Sequence, residues 1–196
     1  GRLDEKTRQL IAKMHKAIAV IQFKTEAMIF KRRPEWQMED RNLIEHIDFD
    51  KQVCLIDGKE YAMKSCSFPT ISKDNPAALT PEEIDLMQKL HHSFRVSEKL
   101  RKHIRTILSH GCMYTICNQN LLFHASIPLN DDGTLRDVEI LGQKYAGKEL
   151  MSYIGQLVRA AFQGDTPSDL KDYARDYFLY LWCGKDSPLF DKSKMS

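Results

Sequence analysis

Apolar residues at Leu3, Leu10, Ile11, Met14, Ile18, Ile21 and Met28 recur at spacings of three, four and seven, which lines them along one face of an α-helix. The helix is predicted from about Leu3 to about Phe30. It must end before Pro34, whose ring and missing N–H cannot continue it. A helix of about thirty residues is long for a globular protein, so it is expected to pack along a second long helix. After it the period changes. Val53 and Leu55, then Lys59-Glu60-Tyr61, flank Asp57-Gly58, a pair suited to the two positive-φ positions of a type I′ hairpin turn.

Thr80-Pro81-Glu82-Glu83 predicts the next helix start: Thr80 caps, proline opens the first turn and Glu83 closes a capping box. That helix runs on through Ile84, Met87, Leu90 and Phe94. Ser97 offers a fresh cap for a basic helix through Leu100, Ile104, Ile107 and Leu108, closed by Gly111. A hairpin follows, with Cys112 to Cys117 as one strand, a turn at Asn118-Gln119-Asn120, and Leu121 to Ser126 as the other. The second strand is apolar almost throughout, which predicts burial on both faces inside a layered sheet. Another hairpin is read from Val138 to Tyr145 around Gly142, and two packing helices close the chain. The first, from Gly147 or Lys148 to Gln163, points Leu150, Ile154, Leu157, Val158 and Ala161 inward; the second spans Ser168 to Trp182. Ile56 to Lys64 and Ile140 to Lys148 share Ile-x-Gly-x-x-Tyr-Ala-x-Lys, a likeness that recurring turn chemistry explains more simply than an internal repeat.

Composition narrows the class. Of 196 residues 42% are hydrophobic, enough for a core, and 29% are charged, as on a soluble surface. Lys+Arg 29 against Asp+Glu 27 leaves +2, no global basic field for nucleic acid. No apolar stretch nears the roughly 18–20 residues of a membrane span, and the opening Gly1-Arg2-Leu3-Asp4 reads as helix rather than signal peptide. Five cysteines (Cys54, Cys66, Cys112, Cys117, Cys183) without Cys-x-x-Cys are expected to be free thiols in a reducing cytoplasm. The chain starts on glycine and stops at Lys194-Met195-Ser196 without a terminating signal, so both ends are expected to be cut.

His124 is the candidate with the most distinctive context. It stands at the end of Leu121-Leu122-Phe123 and before Ile127-Pro128, where a rigid strand would fix the aim of a neutral ring nitrogen toward a metal ion. A lone histidine on an apolar strand is more often a hydrogen-bonded core residue, so spacing alone does not decide between the two. Five of the other histidines read as surface. His91 and His92 point about 100° apart on a helix and cannot easily share an ion; His103 and His110 share a face but lack a third ligand; His15 is mid-helix. Lys31-Arg32-Arg33 favours the C-terminal end of the first helix dipole, with phosphate binding as the other reading. Arg95, Lys99, Arg101, Lys102 and Arg105 read as a solvated face. No Gly-rich phosphate loop, nucleophile elbow or zinc-finger spacing is present, and no catalytic residue is assigned.

Residues Ser97 to Pro128, read as helix, strand, polar turn and apolar strand ending in His-x-x-Ile-Pro, resemble the part of calcineurin-like metallophosphatases where a sheet strand delivers a metal-binding histidine before a proline-containing loop. The whole chain is similar to the middle of a class 3 fructose-1,6-bisphosphatase. The segments carrying that likeness are Phe30-Lys31-Arg32-Arg33-Pro34-Glu35, Met38-Glu39-Asp40-Arg41, Ser97-Glu98-Lys99-Leu100-Arg101, Asn120 to His124, Tyr145 to Leu150 and Tyr180-Leu181-Trp182. The resemblance implies an α/β (α+β) fold, part of a calcineurin-like layered sandwich. Residues 1–95 would be a helix-rich insertion with a β-hairpin, and residues 96–196 part of the metallophosphatase core. It implies a two-metal site, with manganese expected and His124 as one ligand, whose second ring nitrogen donates to a carbonyl or carboxylate.

Other superfamily motifs are missing here. There is no Asp-x-His and no Gly-Asn-His, so most ligands would lie outside this chain. Gly164-Asp165 is followed by Thr166-Pro167-Ser168 and reads as loop and helix cap. His124-Ala125-Ser126 replaces the His-Gly-Gly of the protein phosphatases, and alanine resists positive φ, so the loop after the histidine would take another path. The function implied is hydrolysis of fructose 1,6-bisphosphate in a cytoplasmic enzyme, with the isolated piece inactive. Alternatives are a non-enzymatic helical interaction module or a metallophosphatase of other specificity. A small-molecule sugar bisphosphate is the expected partner, and the first helix offers a face for a homo-oligomer.

Overall fold

The computed structural model describes residues 3–64, 67–190 and 192, and these divide into two compact units, residues 1–95 and 96–196. Helices alternate with three small antiparallel sheets. This is an α+β arrangement, as expected. The layered sandwich is not among the described elements.

In the first unit, α1 spans Glu5–Arg32, and Asp4 caps it by accepting the Thr7 N–H at 2.9 Å. Its extent matches the periodicity; its buried face does not. Val20, Ile21, Lys24, Ala27 and Phe30 are buried, whereas Leu3, Leu10, Ile11, Met14, Ile18 and Met28 are exposed. Only Ile21 of the expected stripe is covered, because the packing partners sit over the C-terminal half and off to one side. Ala27 joins Ile44 and Ala77 in a small core with Ile71 against it. Among the described residues of this unit, no second long helix runs along α1. β1 (Ile47–Asp48), β2 (Val53–Ile56) and β3 (Lys59–Ala62) form one sheet in that order. The turn at Asp57 (φ 51°) and Gly58 (φ 72°) is the type I′ turn read from the sequence. The two-residue β1 carries no periodicity and was not foreseen. α2 (Pro81–Val96) begins at the expected capping box: the Thr80 N–H donates to Glu83 Oε2 at 2.8 Å and the Glu83 N–H to Thr80 Oγ1 at 3.3 Å.

In the second unit, α3 (Glu98–His110) is capped by Ser97, whose Oγ accepts the Leu100 N–H at 3.4 Å. Arg95, Lys99, Arg101, Lys102 and Arg105 are all exposed, as expected. β4 (Tyr114–Cys117) and β5 (Asn120–Phe123) form a two-stranded hairpin that pairs Tyr114 with Phe123 and Cys117 with Asn120. β6 (Val138–Ile140) and β7 (Gln143–Tyr145) make another, turned by Leu141 and Gly142 at positive φ. The core lies between α4 (Gly147–Ala160) and α5 (Ser168–Cys183). Leu150, Ile154 and Leu157 face inward with Tyr173, Ala174, Tyr177 and Leu181. Each fully covered aliphatic side chain there contributes about 1.5–3 kcal/mol.

Gly147 opens α4 at φ +48°, and a Cβ built there would stand 2.7 Å from Leu135 Cδ1, so the position demands glycine for both conformation and space. Gly164 and Asp165 lie in the loop before α5, but the cap role expected of them is absent: the N-cap is Pro167, with no side-chain cap hydrogen bond.

The expectation that β5 is buried on both faces inside a layered sheet is not met within this chain. All four of its residues are exposed; among the described residues β4 is its one strand neighbour. Cys54, Cys112, Cys117 and Cys183 are free thiols, as expected; Cys66 lies outside the described residues. Among the described residues no helix is long and apolar enough to cross a membrane.

Candidate functional site

His124 is placed by local chemistry on one side and by the end of the chain on the other. Asn118 (φ 49°) and Gln119 (φ 64°) form a two-residue turn that fixes the β4–β5 register. The strand then ends at Phe123, one residue short of the histidine. His124 therefore leaves the ladder in a bend, and its side chain is exposed. Two residues on, the Ser126 N–H donates to the Pro188 carbonyl at 3.2 Å, tying the loop to the segment after α5. That segment is held in turn: buried Ser187 donates its hydroxyl to the Leu181 carbonyl at 2.7 Å, and Arg136 pairs with Asp186 at 3.0 Å.

The imidazole lines a cleft of about 620 Å³ walled by the end of α3, the start of the hairpin, α4, α5 and the last described segment. Ile107, Met113, Phe178, Trp182 and Phe190 supply apolar walls, with Cys112, His124 and Arg159 as the side chains of other chemistry. Arg159 is a fastener. Its Nε donates to the Leu108 carbonyl at 3.1 Å, Nη2 to Gly111 at 2.9 Å and Nη1 to Gly155 at 2.8 Å. Leu108 and Gly111 offer the carbonyls that helix α3 leaves unpaired at its end, so the guanidinium also sits at the negative pole of that helix. Replacing Arg159 by methionine, which keeps much of the volume, is expected to lower the stability of this unit by about 1.5–3 kcal/mol. A urea titration checks it, and a midpoint unchanged from the parent would disprove the fastening role.

No other expected site residue joins His124. His15, His91, His92, His103 and His110 are exposed on their helices, as read from the sequence. Among the described residues no group of three His, Cys, Asp or Glu side chains could hold a metal ion. His124 has no hydrogen-bond partner among them either, so the tautomer-fixing acceptor expected for its second nitrogen is not found there. The donor set fits a metal as one exposed imidazole contributed to a site, and no further. Lys31 pairs with Glu45 at 2.6 Å, and Arg32 and Arg33 are also engaged, which favours the structural reading of that run.

Sequence reasoning missed Cys112 and Arg159 at the cleft. It also missed the buried pair Lys24–Glu83 in the first unit, although the Glu83 capping box was visible. Tyr177 is buried on α5 between Tyr173 and Tyr180, with ring centroids 5.8 and 5.0 Å away. Burial pushes its phenol well above the ordinary value, so it stays neutral and acts in packing.

Comparison with known proteins gives a consistent result. A family model described as Firmicute fructose-1,6-bisphosphatase matches residues 1–196. A protein of Parabacteroides distasonis named class 3 fructose-1,6-bisphosphatase is 54% identical over 194 residues, 99% of this chain and 29% of its own length. Its namesake in Phocaeicola vulgatus is 54% identical over 192 residues, 97% of this chain and 29% of the relative. The one in Clostridium tetani is 45% identical over 194 residues, 99% and 29% respectively. The chain thus spans less than a third of the length of these curated relatives. No solved structure matches it.

Proposed function

This chain belongs to the Firmicute fructose-1,6-bisphosphatase family, and on that basis we propose that it is the central part of a longer metal-dependent phosphatase that converts fructose 1,6-bisphosphate to fructose 6-phosphate and phosphate. The observation that carries this is the unbroken likeness: family model and relatives align along nearly the whole chain, insertion-like helix and histidine loop alike. In this reading residues 1–95 are an insertion, and residues 96–196 complete a calcineurin-like layered core with polypeptide from outside this range. The enzyme works in the cytoplasm, in gluconeogenesis.

His124 serves as one ligand of a two-metal site, offering a neutral nitrogen from an exposed ring on the rim of an open cleft. Manganese bound there supplies Lewis-acid polarisation of a phosphoryl oxygen and a more acidic water. The bend after Phe123 and the Ser126–Pro188 hydrogen bond fix the backbone that carries the ring. Apolar side chains line the adjoining space. Arg159 is not the phosphate clamp, since three of its N–H groups are already committed to carbonyls. With one ligand of its own, the isolated 196-residue piece is inactive.

The test compares phosphate release from fructose 1,6-bisphosphate by the longer polypeptide with manganese and by residues 1–196 alone, with phosphoproteins as competing substrates. Sugar phosphatase activity in the former and none in the latter is expected. Preference for a phosphoprotein would move the assignment to another substrate. No turnover by the longer polypeptide on either substrate would favour a non-enzymatic helical module.

A further inference from the structure

The hairpin face formed by Tyr114, Ile116, Leu121 and Phe123 is continuous in chemistry; Tyr114 is half-buried, and the other three are exposed. The register places these four on one side, since Tyr114 stands opposite Phe123 and Ile116 opposite Leu121 and side chains alternate along a strand. Ile116 is 66% exposed, Leu121 46% and Phe123 42%. Leu122, on the other side, is 52% exposed. A two-stranded hairpin is marginal by itself in water, and one with apolar residues on both faces and two open edges invites pairing. Trp182, on the cleft wall, is 74% exposed.

We infer that the β4–β5 hairpin and the adjoining Trp182 wall are an internal seam, covered in the native protein by the polypeptide flanking residues 1–196. The occupant is the same polypeptide, because the relatives carry more than two thirds of their length outside the matched range. The seam leaves His124 on its rim, facing the incoming segments. This rests on the reading of the chain as part of a longer protein.

The test uses that longer polypeptide, with Cys112 and Cys117 changed to serine and Ile116→Cys as the reporter, treated with a maleimide. Background labelling is set by the same protein without the reporter. Labelling of position 116 at least 100-fold slower than in denaturant, and unchanged on dilution, is expected. Labelling as fast as in denaturant by a protein that still unfolds cooperatively would overturn the inference. Protection lost on dilution would assign the face to a second copy and overturn it too. Sugar bisphosphatase activity of the same variant separates the two readings: an active enzyme with a reactive thiol sinks only the seam, and an inactive one with a protected thiol sinks only the function.

Discussion

Replacing Lys24 by alanine is expected to cost about 3–5 kcal/mol of stability, most of it from a carboxylate left buried without its partner. The ammonium is fully buried, donating to Glu83 Oε2 at 2.7 Å and to the Thr70 carbonyl at 2.5 Å. Glu83 in turn accepts the Thr80 N–H that starts α2. One carboxylate therefore closes a helix cap and neutralises a lysine on α1, joining α1, α2 and the loop at Thr70. Lys24→Met leaves less of a cavity but still orphans the charge, so it should remain destabilising. Lys24→Met with Glu83→Gln removes both charges and should recover most of the loss. Guanidinium titrations of the three variants decide the matter. A loss below about 1 kcal/mol for Lys24→Ala would place the pair among weak surface bridges.

The same pair sets a dependence on acid. Burial pushes the Glu83 carboxyl up, but hydrogen bonds from Lys24, Thr70 and Thr80, with the lysine charge, outweigh it and leave the group below its ordinary value of 4.5. With a folded value below the unfolded one, the unfolded chain binds more protons in the window between them, so stability rises with pH there. The contribution is complete above about pH 4.5 and is lost as pH falls through the folded value. Glu83→Gln should flatten that part of the profile.

His124→Ala in the longer enzyme is expected to abolish phosphatase activity, by a factor of about 10³ or more, in the range lost when a group essential to transition-state stabilisation is removed. Folding should be little affected. The ring is exposed and has no hydrogen-bond partner among the described residues, so its removal leaves no cavity and no unsatisfied donor. Metal content, read by elemental analysis of the purified variant, should fall with activity, while the melting temperature in the presence of chelator stays within a degree or two of the parent. Wild-type turnover in this variant would remove His124 from the site. A collapse of stability in chelator would recast it as a structural residue.

Features that depend on residues within a few positions of one another were legible in the sequence. The Asp57-Gly58 turn, the Thr80–Glu83 box, the Ser97 cap and the extent of α1 all follow from backbone chemistry and side chains at most four residues away, and each was found where expected. The resemblance of quoted segments to one phosphatase family was likewise readable, and the family is borne out along the full chain.

What covers each face was not. The apolar stripe of α1 pointed to Leu10 and Met14, yet the buried side includes Lys24, because burial is decided by where Thr70 and Glu83 stand, 46 and 59 residues away. No hydropathy period selects a lysine for the interior. The apolar run of β5 signalled burial correctly as a tendency, but hydrophobicity carries no address. Only the tertiary arrangement reveals that the described residues leave Leu121, Leu122 and Phe123 about half exposed. The sequence reading set His124 at a sheet's rim but carried the strand on to Ser126; that pairing stops at Phe123 was not legible, since the loop beyond it is tied to Pro188, 62 residues after Ser126 along the chain.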